Sequence, residues 1–175
     1  FCYNDYGISV DEPIQRKHSL VNYKHVNSCV GREIRRLKKE KNLADYANKY
    51  YGVFLQFPLV IIEDINKFSM QKRDIFLLRH LYTFLICFIG YVFFYFTIRK
   101  IFSSDYLALL GVLLVFLYPR FFAHQFYNIK DMLFVAMFMI SLWAVVMLVE
   151  NRNKMKWAAV LGTISFTDNF NSVFA

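Results

Sequence analysis

The chain has 175 residues, 57% of them hydrophobic and 19% aromatic, with a formal net charge of +8. An ordinary soluble domain carries about 45–50% apolar residues, so this composition argues against a typical water-soluble fold and points to a membrane. Most charges precede Arg79 and few lie between Leu81 and Val149. A basic balance of that kind suits lipid head groups or anionic lipid-linked substrates rather than nucleic acid.

Residues 1–10 are aromatic and polar, and read as the exit from a preceding membrane helix. The chain starts without Met and stops inside an apolar segment, so it reads as part of a longer protein. No basic start followed by an apolar stretch marks a signal peptide. Asp11-Glu12-Pro13 is a helix start, with acidic residues and Pro in the first turn. Ile14, His18, Val21 and His25 recur at helical spacing and predict a short amphipathic helix. Residues 31–42 are almost wholly charged, Arg and Lys alternating with Glu33 and Glu40, which predicts a solvated helix.

Residues 53–62 are apolar but interrupted by Gln56 and Pro58. They are too short to cross a bilayer core, which needs about 20 residues in a helix, so they predict a helix lying at the interface. Glu63-Asp64 closes it. Residues 77–97 are long enough to span, with Arg79 and His80 at the start and Arg99-Lys100 after the end. The run at 106–117 is short; extended to 101–118 it spans only if Ser103, Ser104 and Asp105 sit at the interface. Residues 132–149 predict a further span, and 157–166 begin another. Of the three cysteines, Cys87 lies in an apolar run, and Cys2 and Cys29 would pair only in an oxidising compartment.

The connection at 119–131 is crowded for a short membrane loop, with Arg120, His124, Asn128, Lys130 and Asp131 among aromatic residues. Ionisable groups gathered at a membrane surface mark a site candidate. Charge in the short loops sets the topology. Arg99, Lys100, Arg152, Lys154 and Lys156 fall on one side, against Arg120 and Lys130 on the other. Asp11-Glu12 and the 119–131 connection then share the non-cytoplasmic face. The expectation is an all-α, multi-pass membrane protein in two parts. Residues 1–76 form an extracytoplasmic loop with juxtamembrane helices, and 77–175 carry the spans and a second extracytoplasmic loop at 119–131.

Four stretches, in order, resemble the N-terminal part of a GT-C type glycosyltransferase of the family 39 type, which includes protein O-mannosyltransferases and aminoarabinose-type lipid transferases. They are Gly7-Ile8-Ser9-Val10-Asp11-Glu12-Pro13, then Tyr51-Gly52-Val53 with Glu63, then Leu78-Arg79-His80-Leu81. The fourth and most specific is Tyr118-Pro119-Arg120-Phe121-Phe122-Ala123-His124 with Asn128-Ile129-Lys130-Asp131. The resemblance implies inverting transfer of a sugar from a polyprenyl-phosphate donor to a protein or glycolipid acceptor at the bilayer surface, in a bacterial inner membrane or the endoplasmic reticulum.

Such a reaction needs a carboxylate to take the acceptor proton and cations to hold the departing phosphate. Asp11 is the candidate base, Glu12 its orienting partner and Asp131 a second carboxylate. The competing reading for Asp11 is helix capping, and for Asp131 a favourable charge at a helix N-terminus. Arg120 and Lys130 are candidates for the phosphate, with His124, Asn128, Arg79 and His80 as further substrate contacts. The competing reading for the cations is interfacial snorkelling. Phe121, Phe122, Phe126 and Tyr127 line a groove or form an interface belt.

No cofactor is expected. His18 and His25 stand two helical turns apart, about 10 Å, too far for one divalent ion. No Gly-rich phosphate loop, nucleophile elbow or Asp-x-Asp pair is present. Two other classes remain. A transporter or channel module would carry polar groups at mid-span, and a non-catalytic anchor or assembly subunit would tolerate loss of Asp11 and Asp131.

Overall fold

The computed structural model describes residues 7–47, 53–66 and 71–150, together with Met155, Ala159 and Gly162. Among the described residues up to Glu150, six α-helices follow one another: α1 Glu12–Cys29, α2 Phe57–Ile65, α3 Lys72–Phe102, α4 Asp105–Phe116, α5 Pro119–Tyr127 and α6 Ile129–Glu150. Three 3-10 turns, Arg35–Lys39, Leu43–Asp45 and Phe54–Gln56, lie between α1 and α2. There is no strand among the described residues. All three prolines, Pro13, Pro58 and Pro119, stand in the first turn of a helix, where a missing N–H costs nothing. Pro58 therefore starts the interfacial helix rather than interrupting it.

α3 and α6 are long and apolar enough to cross a membrane. The pair α4 and α5, bent by 68°, makes a third crossing if it is one broken span. At about 1.5 Å per residue, the 31 residues of α3 exceed a hydrocarbon core of about 30 Å. α4 has 12 residues and falls well short of that thickness. Its outward face is apolar and exposed through Leu107, Leu110 and Leu114, as a lipid-facing surface requires.

α3 and α6 run parallel. Contacts rise together along both: Cys87 Sγ with the Met132 carbonyl at 3.7 Å, Gly90 against Ala136, Phe96 with Trp143, and Lys100 Nζ with Glu150 at 2.6 Å. α4 returns antiparallel to α3, held by Arg99 Nε to Asp105 at 2.7 Å, Tyr95 Oη to Asp105 at 2.8 Å, and Tyr91 against Phe116. The turn between them takes Ser103 at φ 52°, and the Ser104 hydroxyl accepts the Leu107 N–H. The first turns of α3 and α6 thus share one end of the bundle.

Three expectations are corrected. Residues 31–42 do not form a solvated α-helix; they turn as a short 3-10 segment because Leu37 is drawn into a core with Leu20, Tyr23 and Val60. Lys24 Nζ fastens that segment through the Glu40 carbonyl at 2.6 Å and Asn42 Oδ1 at 3.0 Å. On α1, His18 and Val21 are buried, but Ile14 and His25 are exposed. The stretch 119–131 is not a loop: α5 occupies most of it and breaks at Asn128. Cys2, Tyr51 and Gly52 lie outside the described residues. So does the segment at 157–166, apart from Ala159 and Gly162; Cys29 is a free, exposed thiol.

Lipid tails are as apolar as the helices, so close packing of small residues holds membrane helices together. A Cβ on Gly90 would stand 2.8 Å from Ala136 Cα and 3.0 Å from its Cβ. Gly90→Val is expected to push α3 from α6 and cost about 1–3 kcal/mol, read as a lower unfolding temperature in detergent. An unchanged melt would refute this packing.

Candidate functional site

α1 buries a polar stripe beside its apolar contacts. Glu12, Gln15, Ser19 and Tyr23 recur three or four residues apart and are all buried, so they form one helical stripe. Each finds a partner. His80 Nε2 lies 3.1 and 3.2 Å from the two Glu12 carboxylate oxygens. Arg79 donates to Ser19 Oγ at 3.2 Å and Gln56 Oε1 at 3.4 Å, and Gln56 Nε2 donates to Gln15 Oε1 at 3.4 Å. Tyr23 Oη donates to Asp64 at 2.8 Å, and with burial this holds its phenol pKa above the ordinary value. Arg16 clasps Glu63 through Nε and Nη2, the shortest contact being 2.7 Å. Two arginines and two glutamates balance in this layer, as buried charges must.

This anchoring sets the N-terminus of α1 beside the first turn of α6. Ser9, Val10, Asp11, Glu12, Ile14, Gln15 and His18 form one wall of a cavity of about 450 Å³. His124, Tyr127, Asn128, Ile129, Lys130 and Asp131 form the other. The two stretches singled out in the sequence are therefore brought together.

Asp11 is exposed and its carboxylate makes no cap hydrogen bond, so the capping reading does not describe it. Instead Glu12 Oε1 accepts the Ser9 N–H at 3.1 Å, which folds the preceding segment over the cavity. Asp131 is exposed and does serve a cap: its N–H donates to Asn128 Oδ1 at 3.2 Å, while Asn128 Nδ2 donates back to Asp131 Oδ2 at 2.8 Å. Asn128 thus caps the first turn of α6 with its side-chain oxygen, and its amide nitrogen ties the Asp131 carboxylate. Asn128 Nδ2 also lies 3.0 Å from His124 Nδ1.

Arg120 is exposed and lines a smaller crevice of about 190 Å³ with Phe121, His124, Asp131, Met132 and Val135. Arg79 and His80 are 2% exposed and line neither cavity; they neither snorkel nor face the open space. Of the aromatic residues, Tyr127 lines the main cavity and Phe121 the crevice. Phe126 stacks on Phe84, and Phe122 packs against Phe116. His18 and His25 share no ion site, one being buried and the other exposed, and no cluster of three metal-ligating side chains occurs among the described residues. The pairings of Gln15 with Gln56 and of Arg16 with Glu63 are not legible in the sequence; the spacing of Glu12, Gln15, Ser19 and Tyr23 is the available signal.

Burial, followed by the charge of Lys130, lowers the His18 pKa below 6.5. The unfolded chain therefore binds the proton more readily than the fold. Stability is full above about pH 6.5 and falls as pH drops through the lower folded value. No family model, curated protein or solved structure matches the chain. His18→Gln is expected to flatten the loss in unfolding temperature as pH falls below about 6.5. An identical slope in both proteins would remove His18 as its source.

Proposed function

We propose that the chain belongs to a multi-pass GT-C type glycosyltransferase of the family 39 type, moving a sugar from a polyprenyl-phosphate donor to a protein or lipid acceptor with inversion. One observation carries this reading. Asp11, free of any capping duty, opens onto the same cavity as His124, Asn128, Lys130 and Asp131, although the two groups are distant in sequence.

An acceptor hydroxyl beside Asp11 attacks the anomeric carbon as the bond to the donor phosphate breaks. The phosphate leaves with the bonding pair, and Asp11 takes the hydroxyl proton. Lys130 and His124 stand opposite, where a departing phosphate needs compensation. The N-termini of α1 and α6 add positive dipole ends to the same space. The crevice shared by Arg120, His124 and Asp131 continues over Met132 and Val135, an apolar wall suited to the lipid chain. Glu12, pinned by His80, positions the segment that carries Asp11 and does not itself meet substrate. Arg79 and His80 act through α1.

The short-loop charges put Arg99 and Lys100 on the cytoplasmic side, hence the cavity on the opposite, non-cytoplasmic face. An impermeant maleimide on intact cells is expected to label Cys29 in a variant lacking Cys2 and Cys87. Labelling only after lysis would reverse the orientation.

Transfer of labelled sugar from polyprenyl-phosphate donors, assayed in membranes, tests the reaction. Asp11→Asn is expected to reduce transfer by about 10²-fold or more with unchanged unfolding temperature, since that carboxylate caps nothing. Equal transfer would take Asp11 out of the mechanism. Absence of transfer with every donor would favour an anchor or transporter role.

A further inference from the structure

The strongest unexplained geometry is the triplet His124, Asn128 and Asp131. The Asn128 side chain is fixed at three points. Its Oδ1 accepts the Asp131 N–H, so the orientation of the carboxamide is determined, and its Nδ2 faces both the Asp131 carboxylate and His124 Nδ1. An amide nitrogen is donor only. His124 Nδ1 must therefore accept, and the neutral imidazole carries its proton on Nε2. Nε2 has no partner among the described residues. His124 and Asp131 are the two residues common to the polar cavity and the apolar crevice.

We infer that Asn128 is a positioning residue that locks His124 as an Nε2–H donor at the junction of the two cavities, where that N–H binds the phosphate oxygen of an amphiphilic phosphate ester. The inference rests on the proposed function for the identity of the ester, but not for the lock itself. The same Asn128 cap that starts α6 sets the tautomer. A helix cap is thereby coupled to the chemistry of a ligand-facing nitrogen. The head of the ester lies on the Lys130 side, and its chain lies along Met132 and Val135.

Binding separates this from turnover. The probe is radiolabelled farnesyl phosphate, titrated against the protein in nanodiscs, with farnesol as the phosphate-free control. Asn128→Asp retains a good helix cap but turns an acceptor towards Nδ1, which moves the imidazole proton off Nε2. Asn128→Ser also keeps a cap and adds no charge beside Asp131. In His124→Gln the side-chain amide supplies a donor near the Nε2 position whatever residue 128 is.

Asn128→Asp and Asn128→Ser are expected to weaken farnesyl phosphate binding, Asn128→Asp by about tenfold, the size of one charge-assisted hydrogen bond. In the His124→Gln background the same changes are expected to alter binding less than about twofold, and farnesol binding stays constant throughout. Equal losses in both backgrounds would reduce Asn128 to a helix cap and overturn the inference. So would unchanged binding in every variant, or a wild type that does not distinguish farnesyl phosphate from farnesol. Absence of sugar transfer alongside the expected binding pattern would sink only the proposed reaction.

Discussion

The neutral, buried polar layer between α1 and the head of α3 is the constraint on which the site depends. Glu12 with His80 and Ser19 with Arg79 join α1 to α3, and Arg16 with Glu63 joins α1 to α2. An apolar interface is non-directional and would let α1 slide or rotate. Hydrogen bonds between buried groups do not, because each misplaced donor or acceptor loses its full solvation. The layer lies at the N-terminal end of α3, before its long apolar run. Arg79 Nε is a buried nitrogen of this layer without a hydrogen-bond partner among the described residues.

The second constraint is the parallel pairing of α3 and α6. Two parallel helices need a return, and α4 with α5 provides it. α4 is too short to cover the distance alone, so α5 turns away by 68° and runs across the end of the bundle. This turn brings His124 and Tyr127 under α1 and delivers Asn128 at the start of α6. α5 is held there by Phe126 stacked on Phe84 and by Tyr91 Oη donating to the buried Gln125 at 3.3 Å. The crossing helix is thus both a membrane connection and one wall of the cavity.

Together these constraints join two helix N-termini, a lysine, two histidines and two exposed carboxylates around one space. Asp11 and Asp131 differ in their circumstances. Asp131 is engaged by Asn128, whereas Asp11 is held near the cavity by its neighbour Glu12 and left open. That division, one carboxylate tethered and one available, is what a site with a single proton acceptor needs.

Much of the membrane part was legible because lipid imposes a simple demand: a span must be long, apolar and helical. Composition and run length therefore located α3 and α6, and Pro13 marked the start of α1. The candidate residues at 11–12 and 120–131 were also visible, since clustered ionisable groups between apolar runs stand out. The sequence by itself determined a helical chain with helices long and apolar enough to cross a membrane, and two polar stretches near their ends. It did not determine that 119–131 is helical, because the contacts that α5 makes with α3 join residues remote in sequence. Nor did it reveal which face of α1 is buried: apolar periodicity favoured Ile14 and His25, but the decisive partners lay on α2 and α3. Only the tertiary structure decided that Asp11 is free of the cap, that Arg79 and His80 are anchors, and that Asn128 ties His124 to Asp131. Those outcomes depend on which distant groups meet, and a hydrogen bond between remote residues leaves no period in the sequence.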